Sequence, residues 1–301
     1  MIPATVIPVA GATDMTVASN RIWMLTGTTV STLDPATHAV AAMTLGAPVN
    51  APDGLEVTDT AIWIADFGGN QVIRVDRAGR TPPKTIPIEA AEDVLAVGDT
   101  IWVTRHHSGS ISRIDAKSGA VLGTQLVGAT GSGGPQRLAQ GDGSVWVDES
   151  NTSEVIRLDP ATGGVIAHIP VPDFGPCGGI LVTDAAVWVS GCHDSLAAVR
   201  IDPATNTIAG EVILDEYAQD LVDVNGAIWA PVGGSDYRSP GQASGAAGEL
   251  ERIDPATNLV TTKLTTAGLD DVAGSVVVDN ALWVSNATTG VIEIPLAELT
   301  P

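Results

Sequence analysis

Basic residues are scarce in this chain: Lys and Arg number 14 against 35 Asp and Glu, for a formal net charge of −21. Such an excess repels nucleic acid and anionic membrane surfaces at long range, and it favours cationic ligands or metal ions. The same charge also serves plain solubility. No apolar run reaches the ~18 residues needed to cross a bilayer as a helix. Helical periodicity is missing as well, which excludes bundles and coiled coils. With only two cysteines, and no HxH, HExxH or CxxC spacing, neither a disulfide-dense scaffold nor a standard zinc motif is available. Phe and Tyr occur twice each, yet Trp occurs seven times.

Those tryptophans carry the architecture. Trp23, Trp63, Trp102, Trp146, Trp188, Trp229 and Trp283 follow one another at spacings of 40, 39, 44, 42, 41 and 54 residues. Around each runs the same string: a short apolar strand, a tight turn, an apolar-Trp-apolar strand, a variable loop, and a strand ending in apolar-Asp. The turn before the Trp is explicit in Val224-Asn225-Gly226-Ala227, because Asn-Gly supplies two residues that tolerate positive φ. The Asp-Pro-Ala-Thr strings at Asp34, Asp159, Asp202 and Asp254 read as type I turns that end in a left-handed residue and lead to a fourth strand. A period of this length built from four antiparallel strands predicts an all-β, seven-bladed β-propeller over residues 1–301, a single domain.

Ring closure has its own signal. The seventh repeat stops after its third strand, Val291-Ile292-Glu293-Ile294, and Thr5-Val6-Ile7-Pro8-Val9 is left unassigned at the other end. Pairing the two covers both exposed edges, so the N-terminal strand is expected to complete blade 7.

In a propeller the turns between strands one and two, and between three and four, lie on one face. The loops between strands two and three, and the links between blades, lie on the other, and here those loops vary in length and chemistry. Function is expected on that upper face. Near the start of each innermost strand stand Asp14, Asp53, Asp93, Asp220 and Asp271, with Gln136 and Cys177 in the remaining blades. Five carboxylates around a narrow axis imply either a water-filled, screened funnel or a bound divalent cation, magnesium or calcium. Arg137 follows Gln136 into the same region. The loops after the Trp strands contribute Asp66, Arg105, His106, His107, Asp148, Glu149, His193 and Asp194, either a polar rim or, through His106, His107, His193 and Glu149, acid–base groups. The long insertion between Gly233 and Gly248 adds Asp236 and Tyr237, which could fold over a ligand.

The cysteines bear on localisation. With a two-residue turn at Asp184-Ala185, Cys177 falls opposite Cys192, and a disulfide there stabilises by about 3 kcal/mol in the chain-entropy model. It implies an oxidising compartment, so a secreted, periplasmic or cell-surface location is expected. Reduced thiols joining His193 as metal ligands are the alternative.

The strings Leu282-Trp283-Val284-Ser285-Asn286 and Ile62-Trp63-Ile64-Ala65-Asp66-Phe67-Gly68-Gly69-Asn70-Gln71-Val72-Ile73-Arg74-Val75-Asp76 resemble the repeat of the streptogramin B lyase superfamily, itself similar to YVTN- and NHL-type propellers. The resemblance spans the chain and implies the propeller fold. It also implies a lyase that opens a cyclic depsipeptide with a His in a Pro-His-x-Ile string and magnesium held by glutamates. The corresponding strings here are Pro52-Asp53-Gly54-Leu55, Pro135-Gln136-Arg137-Leu138 and Pro176-Cys177-Gly178-Gly179, and all lack the His. The expectation is therefore a monomeric, exported binding module that holds a small molecule, glycan or peptide in an acidic funnel. The alternatives are a metal-dependent lyase or hydrolase acting on a lactone, ester or glycan, and a sensor or adhesion domain of a larger membrane protein.

Overall fold

A computed structural model describes residues 1–191, 195–233 and 248–299. Seven four-stranded antiparallel sheets form the ring of a β-propeller, and six of them are consecutive in sequence. Blade 2 is representative, with strands Pro52–Val57, Ala61–Asp66, Gln71–Asp76 and Lys84–Pro87 running from the axis outward. Blade 7 is composite. Val272–Val278, Ala281–Asn286 and Gly290–Pro295 are joined at the outer edge by Thr5–Ile7, which pairs antiparallel with Thr5 opposite Glu293 and Ile7 opposite Val291. The expected closure therefore forms, over three residues, and Pro8 ends the pairing because it has no N–H for the ladder.

The turns follow from their residues. Asn225 and Gly226 both have positive φ, 54° and 82°, which the Asn-Gly turn requires. In the Asp-Pro-Ala-Thr turns the aspartate side chain accepts backbone N–H groups. Asp34 Oδ1 takes those of Ala36 and Thr37 at 3.1 Å each, and the left-handed residue that follows is His38, with φ 60°.

Packing occurs between blades rather than within them. Each apolar cluster joins two neighbouring sheets, as Trp63, Ala65 and Val72 of blade 2 meet Val94, Ile101 and Ile114 of blade 3. Blades 7 and 1 are fused in the same way by Ile7, Met15, Ile22 and Trp283. The tryptophans are buried at every interface, and each withdraws roughly 200 Å² from water, an upper estimate of about 5 kcal/mol. The guanidinium groups of Arg74, Arg113, Arg157 and Arg200 lie over the rings of Trp63, Trp102, Trp146 and Trp188 at 4.9–5.9 Å, cation–π contacts that cap the indoles. Among the described residues no helix is long and apolar enough to cross a membrane.

Candidate functional site: the axial funnel

The funnel is shaped by a defect repeated around the ring. In six blades the innermost strand slips register against its neighbour near its start, between Ala12 and Met15, Pro52 and Gly54, Ala91 and Val94, Pro135 and Leu138, Pro176 and Ile180, and Val272 and Gly274. A bulge of this kind bends the strand and re-aims side chains. Here residues at successive positions turn toward the axis in two layers, which blade 6 joins through Gln219 and Asp220 ahead of its innermost strand, Val222–Val224. Counting back from the residue paired with each Trp, the lower layer is Asp14, Gly54, Asp93, Arg137, Gly179, Asp220 and Gly274. One residue above lie Thr13, Asp53, Glu92, Gln136, Gln219 and Ala273, while in blade 5, where the slip is two residues, Cys177 lines the funnel instead.

The lower aspartates reach sideways. Asp14 Oδ2 accepts the Leu55 N–H at 2.7 Å, Asp93 Oδ2 that of Leu138 at 2.8 Å, and Asp220 Oδ2 that of Ser275 at 2.9 Å, each on the next blade. Asp93 and Asp220 also accept N–H groups of their own strands, from Val94 and Leu221, on the other oxygen. These carboxylates thus staple neighbouring sheets at the axis. Glycine neighbours two of them for a steric reason: a Cβ on Gly54 would sit 2.7 Å from the Asp93 Cα, and one on Gly179 would sit 2.7 Å from the Asp220 Cα. Asp53 stands one layer higher and Asp271 nearer the rim, where Thr288 donates to its carboxylate at 2.6 Å, so the five aspartates do not share one level.

Three chambers open from this arrangement. The upper funnel, about 210 Å³, is lined by Thr13, Asp14, Asp53, Glu92, Gln136, Arg137, Cys177, Gln219 and Asp271, with an apolar wall of Val272, Ala273 and Ala287. The lower one, also about 210 Å³, shares Asp14, Arg137, Gln219 and Ala273 with it and adds Glu56, Asp93 and Asp220. A side chamber of about 460 Å³ shares Thr13, Asp53 and Glu92 with the upper funnel and extends to Phe67, His106, His107 and Ser132. His106 is 4% exposed and Glu92 3%, and His106 Nδ1 stands 2.7 Å from Glu92 Oε2. His106 Nε2 lies 3.1 Å from the Ser132 carbonyl, which fixes the ring. The His107 ring stacks edge-on against Phe67 and His106, at 5.5 and 4.9 Å between centroids.

Charge in the funnel is poorly solvated. Burial, then the neighbouring Asp93, pushes Asp14 up to about 8. Burial also raises Asp53 and Asp93 to about 6 and Glu56 to about 7, although Arg137 pulls the two aspartates back down. Arg137 itself loses by burial, but Asp53, Asp93, Asp14 and Glu92 outweigh that and hold its charge more firmly than usual. Its guanidinium stands 3.7 Å from Asp53. One arginine therefore faces several carboxyls that sit between their charged and neutral forms near neutral pH.

The loop residues anticipated from the sequence divide by position. Asp148, two residues past Trp146, accepts the N–H groups of Gln136 and Arg137 at 3.1 and 2.7 Å and holds the blade 4 bulge from beneath. Burial raises its carboxyl well above the usual range. Thr104, Ser190 and Ser285 act on the bulges at the same offset in other blades. Asp66 accepts the Asn50 N–H at 2.7 Å, and Glu149 accepts Thr152 N–H and O–H at 2.6 Å, so both fasten upper loops. Arg105 turns to Ser110 and Glu89. Of the anticipated acid–base groups, His106 and His107 share the side chamber, while Glu149 is buried beneath a loop. His193, Asp194, Asp236 and Tyr237 lie outside the described residues.

Cys177 is buried in the upper funnel wall, and Cys192 lies outside the described residues. The register argument for their pairing changes at the bulge. Ile180 pairs with Val189 and Pro176 with Gly191, a slip of two residues, and the pairing anticipated for Cys177 reaches beyond the described residues. Sequence reading also passed over Glu92 and Phe67. Glu92 precedes Asp93, and only the bulge reveals that both neighbours face the axis.

No family model matches the chain, and no curated protein matches it. Solved structures do. Selenomethionine-substituted virginiamycin B lyase from Staphylococcus aureus superposes with a TM-score of 0.80 at 16% identity, covering 97% of this chain and 98% of the other. A catalytically inactive form of that enzyme with quinupristin gives 0.78 at 16% identity, covering 97% of each chain. BamB from Moraxella catarrhalis gives 0.65 at 15% identity, over 91% of this chain and 78% of its own. The chain thus has the streptogramin-lyase-like propeller fold, and its chemistry must be argued from its own residues.

Proposed function

We propose that this chain is an exported ligand-binding propeller whose upper funnel and side chamber receive a small organic cation with an apolar body. The observation that carries the reading is the pairing of Asp53 and Glu92, which line both chambers, with a single arginine as their strong counter-charge. A cationic headgroup among these carboxyls relieves their repulsion, Phe67 and His107 offer ring faces to it, and Val272, Ala273 and Ala287 take the apolar part. The inactive lyase with quinupristin supports a ligand site on this scaffold. Export rests on a Cys177–Cys192 disulfide, which intact-mass measurement with and without reductant tests directly.

The test is calorimetric titration with benzylamine and agmatine against benzyl alcohol as the neutral match. Amine binding is expected to strengthen from pH 5 to pH 8, because Asp53 and Asp93 near 6 and Asp14 near 8 ionise across that window. Asp53→Asn and Glu92→Gln each weaken it about tenfold or more. Equal binding of amine and alcohol would remove the reading.

A second reading, a lyase or hydrolase acting on a lactone, ester or glycan, is favoured by the His106–Glu92 pair beside an open chamber. A carboxylate that orients an imidazole is the arrangement a general base uses, and here Nε2 would have to leave the Ser132 carbonyl before it could accept a proton. Turnover in a substrate screen, abolished by His106→Gln and with or without sensitivity to chelator, supports it. A screen without turnover leaves the binding module.

A further inference from the structure

We infer a divalent-cation site, best suited to calcium, on the outer rim between blades 5 and 6, formed by Asp215, Glu249 and Glu251 and separate from the funnel. Asp215 lies in the link that follows the outermost strand of blade 5, Thr207–Ile213, and both glutamates lie on the third strand of blade 6, Glu249–Asp254. Each side chain presents an oxygen, and these oxygens all fall within 4.8 Å of one another. Among the described residues, this is the group of three acidic or imidazole side chains close enough to share an ion. Calcium held by oxygens at roughly 2.3–2.6 Å spans such separations.

Three carboxylates at a rim do not by themselves make a site, and Glu251 supplies the second observation. Its side chain is fully buried, at 0% exposure. Oε1 accepts the Asp215 N–H at 3.1 Å, while Oε2 is shut away from water without a hydrogen-bond partner. A buried carboxylate oxygen lacking a donor is costly, and a coordinated cation removes that cost. Nor does the strand require acid at this place. Glu251 lies opposite Ala230 on one side and Lys263 on the other, in a sheet whose other inward positions are apolar, such as Leu250 and Ile253.

Lys263 is the resident counter-ion. Its ammonium contacts Asp215, stands 3.2 Å from Glu251 and reaches 4.0 Å from Glu249. One ammonium among three carboxylates leaves a net charge of −2, the charge a divalent ion cancels. With 39% of its side chain exposed, Lys263 has room to withdraw toward solvent while the carboxylates close on the ion. None of these residues lines the funnel chambers. The inference therefore stands or falls apart from the proposed ligand.

Chelator-treated full-length protein titrated with calcium chloride, followed by calorimetry and thermal melting, tests the inference. A saturable one-to-one heat is expected, with a melting temperature raised by ~3 °C or more at saturation, and magnesium is expected to bind at least tenfold more weakly. Glu251→Gln should weaken calcium at least tenfold. Glu249→Gln, at a side chain that is less deeply buried than Glu251, repeats the test if the first variant is unstable. Lys263→Met should keep or tighten binding, because it removes the competing ammonium. Absence of saturable heat up to ~10 mM calcium overturns the site, as does binding that survives both glutamate variants or is lost in Asp53→Asn instead.

Discussion

The same residue type does opposite things at the two ends of this molecule. On the lower face, Asp34, Asp115 and Asp159 accept N–H groups in solvent-exposed turns, and those hydrogen bonds, led at Asp115 by the Ser118 hydroxyl, hold each carboxyl below its usual range. At the axis, Asp14, Asp93 and Asp220 also accept backbone N–H groups, yet each is pushed upward because the narrow funnel strips its water. Hydrogen-bond inventory alone would have ranked the two sets alike. Solvent access decides the sign, and only the axial carboxyls are left in a state that a ligand can change.

Arg137 offers the sharpest way to break this contrast. Arg137→Met removes the strong cation shared by Asp14, Asp53, Asp93 and Glu92. At pH 8 it should cost about 3–5 kcal/mol in denaturant unfolding, as for a buried charge set stripped of its partner. At pH 5, where the carboxyls can take up protons instead, the loss should be distinctly smaller. Equal losses at both pH values would mean that Arg137 acts by packing and not by charge.

Next in size is the pH profile of the unmodified protein. Between the ordinary carboxylate range and the raised values of about 6 to 8, the folded state keeps protons that the unfolded chain has released. The axial groups therefore favour folding near pH 5, and that advantage is lost as pH rises through 6 to 8. The lower-face aspartates run the other way, and their contribution is lost as pH falls below about 4. Melting temperature should peak near pH 5 and drop by ~5 °C or more by pH 8. Asp14→Asn should flatten the alkaline arm and leave the acid arm alone. A profile flat from pH 5 to 8 would contradict the axial assignment.

How much of this could be read in advance follows the same divide. The Trp period, the Asn-Gly turn at Asn225 and the unpaired segment at Thr5 are local signals of strand, turn and edge, and the blades and ring closure follow from them. The funnel depends on a slip in register of one residue, or two in blade 5, which no local pattern announces. That slip places Asp53 and Glu92 in one layer and Asp14 and Asp93 in another, and turns Asp148 from a rim acid into a support under the bulge. Asp66 and Glu149 were visible as acids on the upper face. Their engagement with Asn50 and Thr152 depends on where the loops return, which is a tertiary fact. The Asp215, Glu249 and Glu251 cluster joins residues some 35 positions apart, and nothing in their spacing suggests contact.

The smallest effect belongs to the lower face. In Asp159→Asn the amide oxygen can still accept the Ala161 and Thr162 N–H groups that Asp159 Oδ1 now takes at 2.9 and 2.7 Å, so the turn keeps its geometry and loses only its charge. An exposed charge of this kind contributes little in water, and at pH 7 the variant should melt within the scatter of the parent. The difference should emerge below pH 4, where the parent loses a contribution that the variant never had, so the two melting curves converge or cross. A large loss at pH 7 would show that exposed turn carboxylates matter as much as axial ones, and the contrast between the two ends of the molecule would then rest on position in the ring instead of access to water.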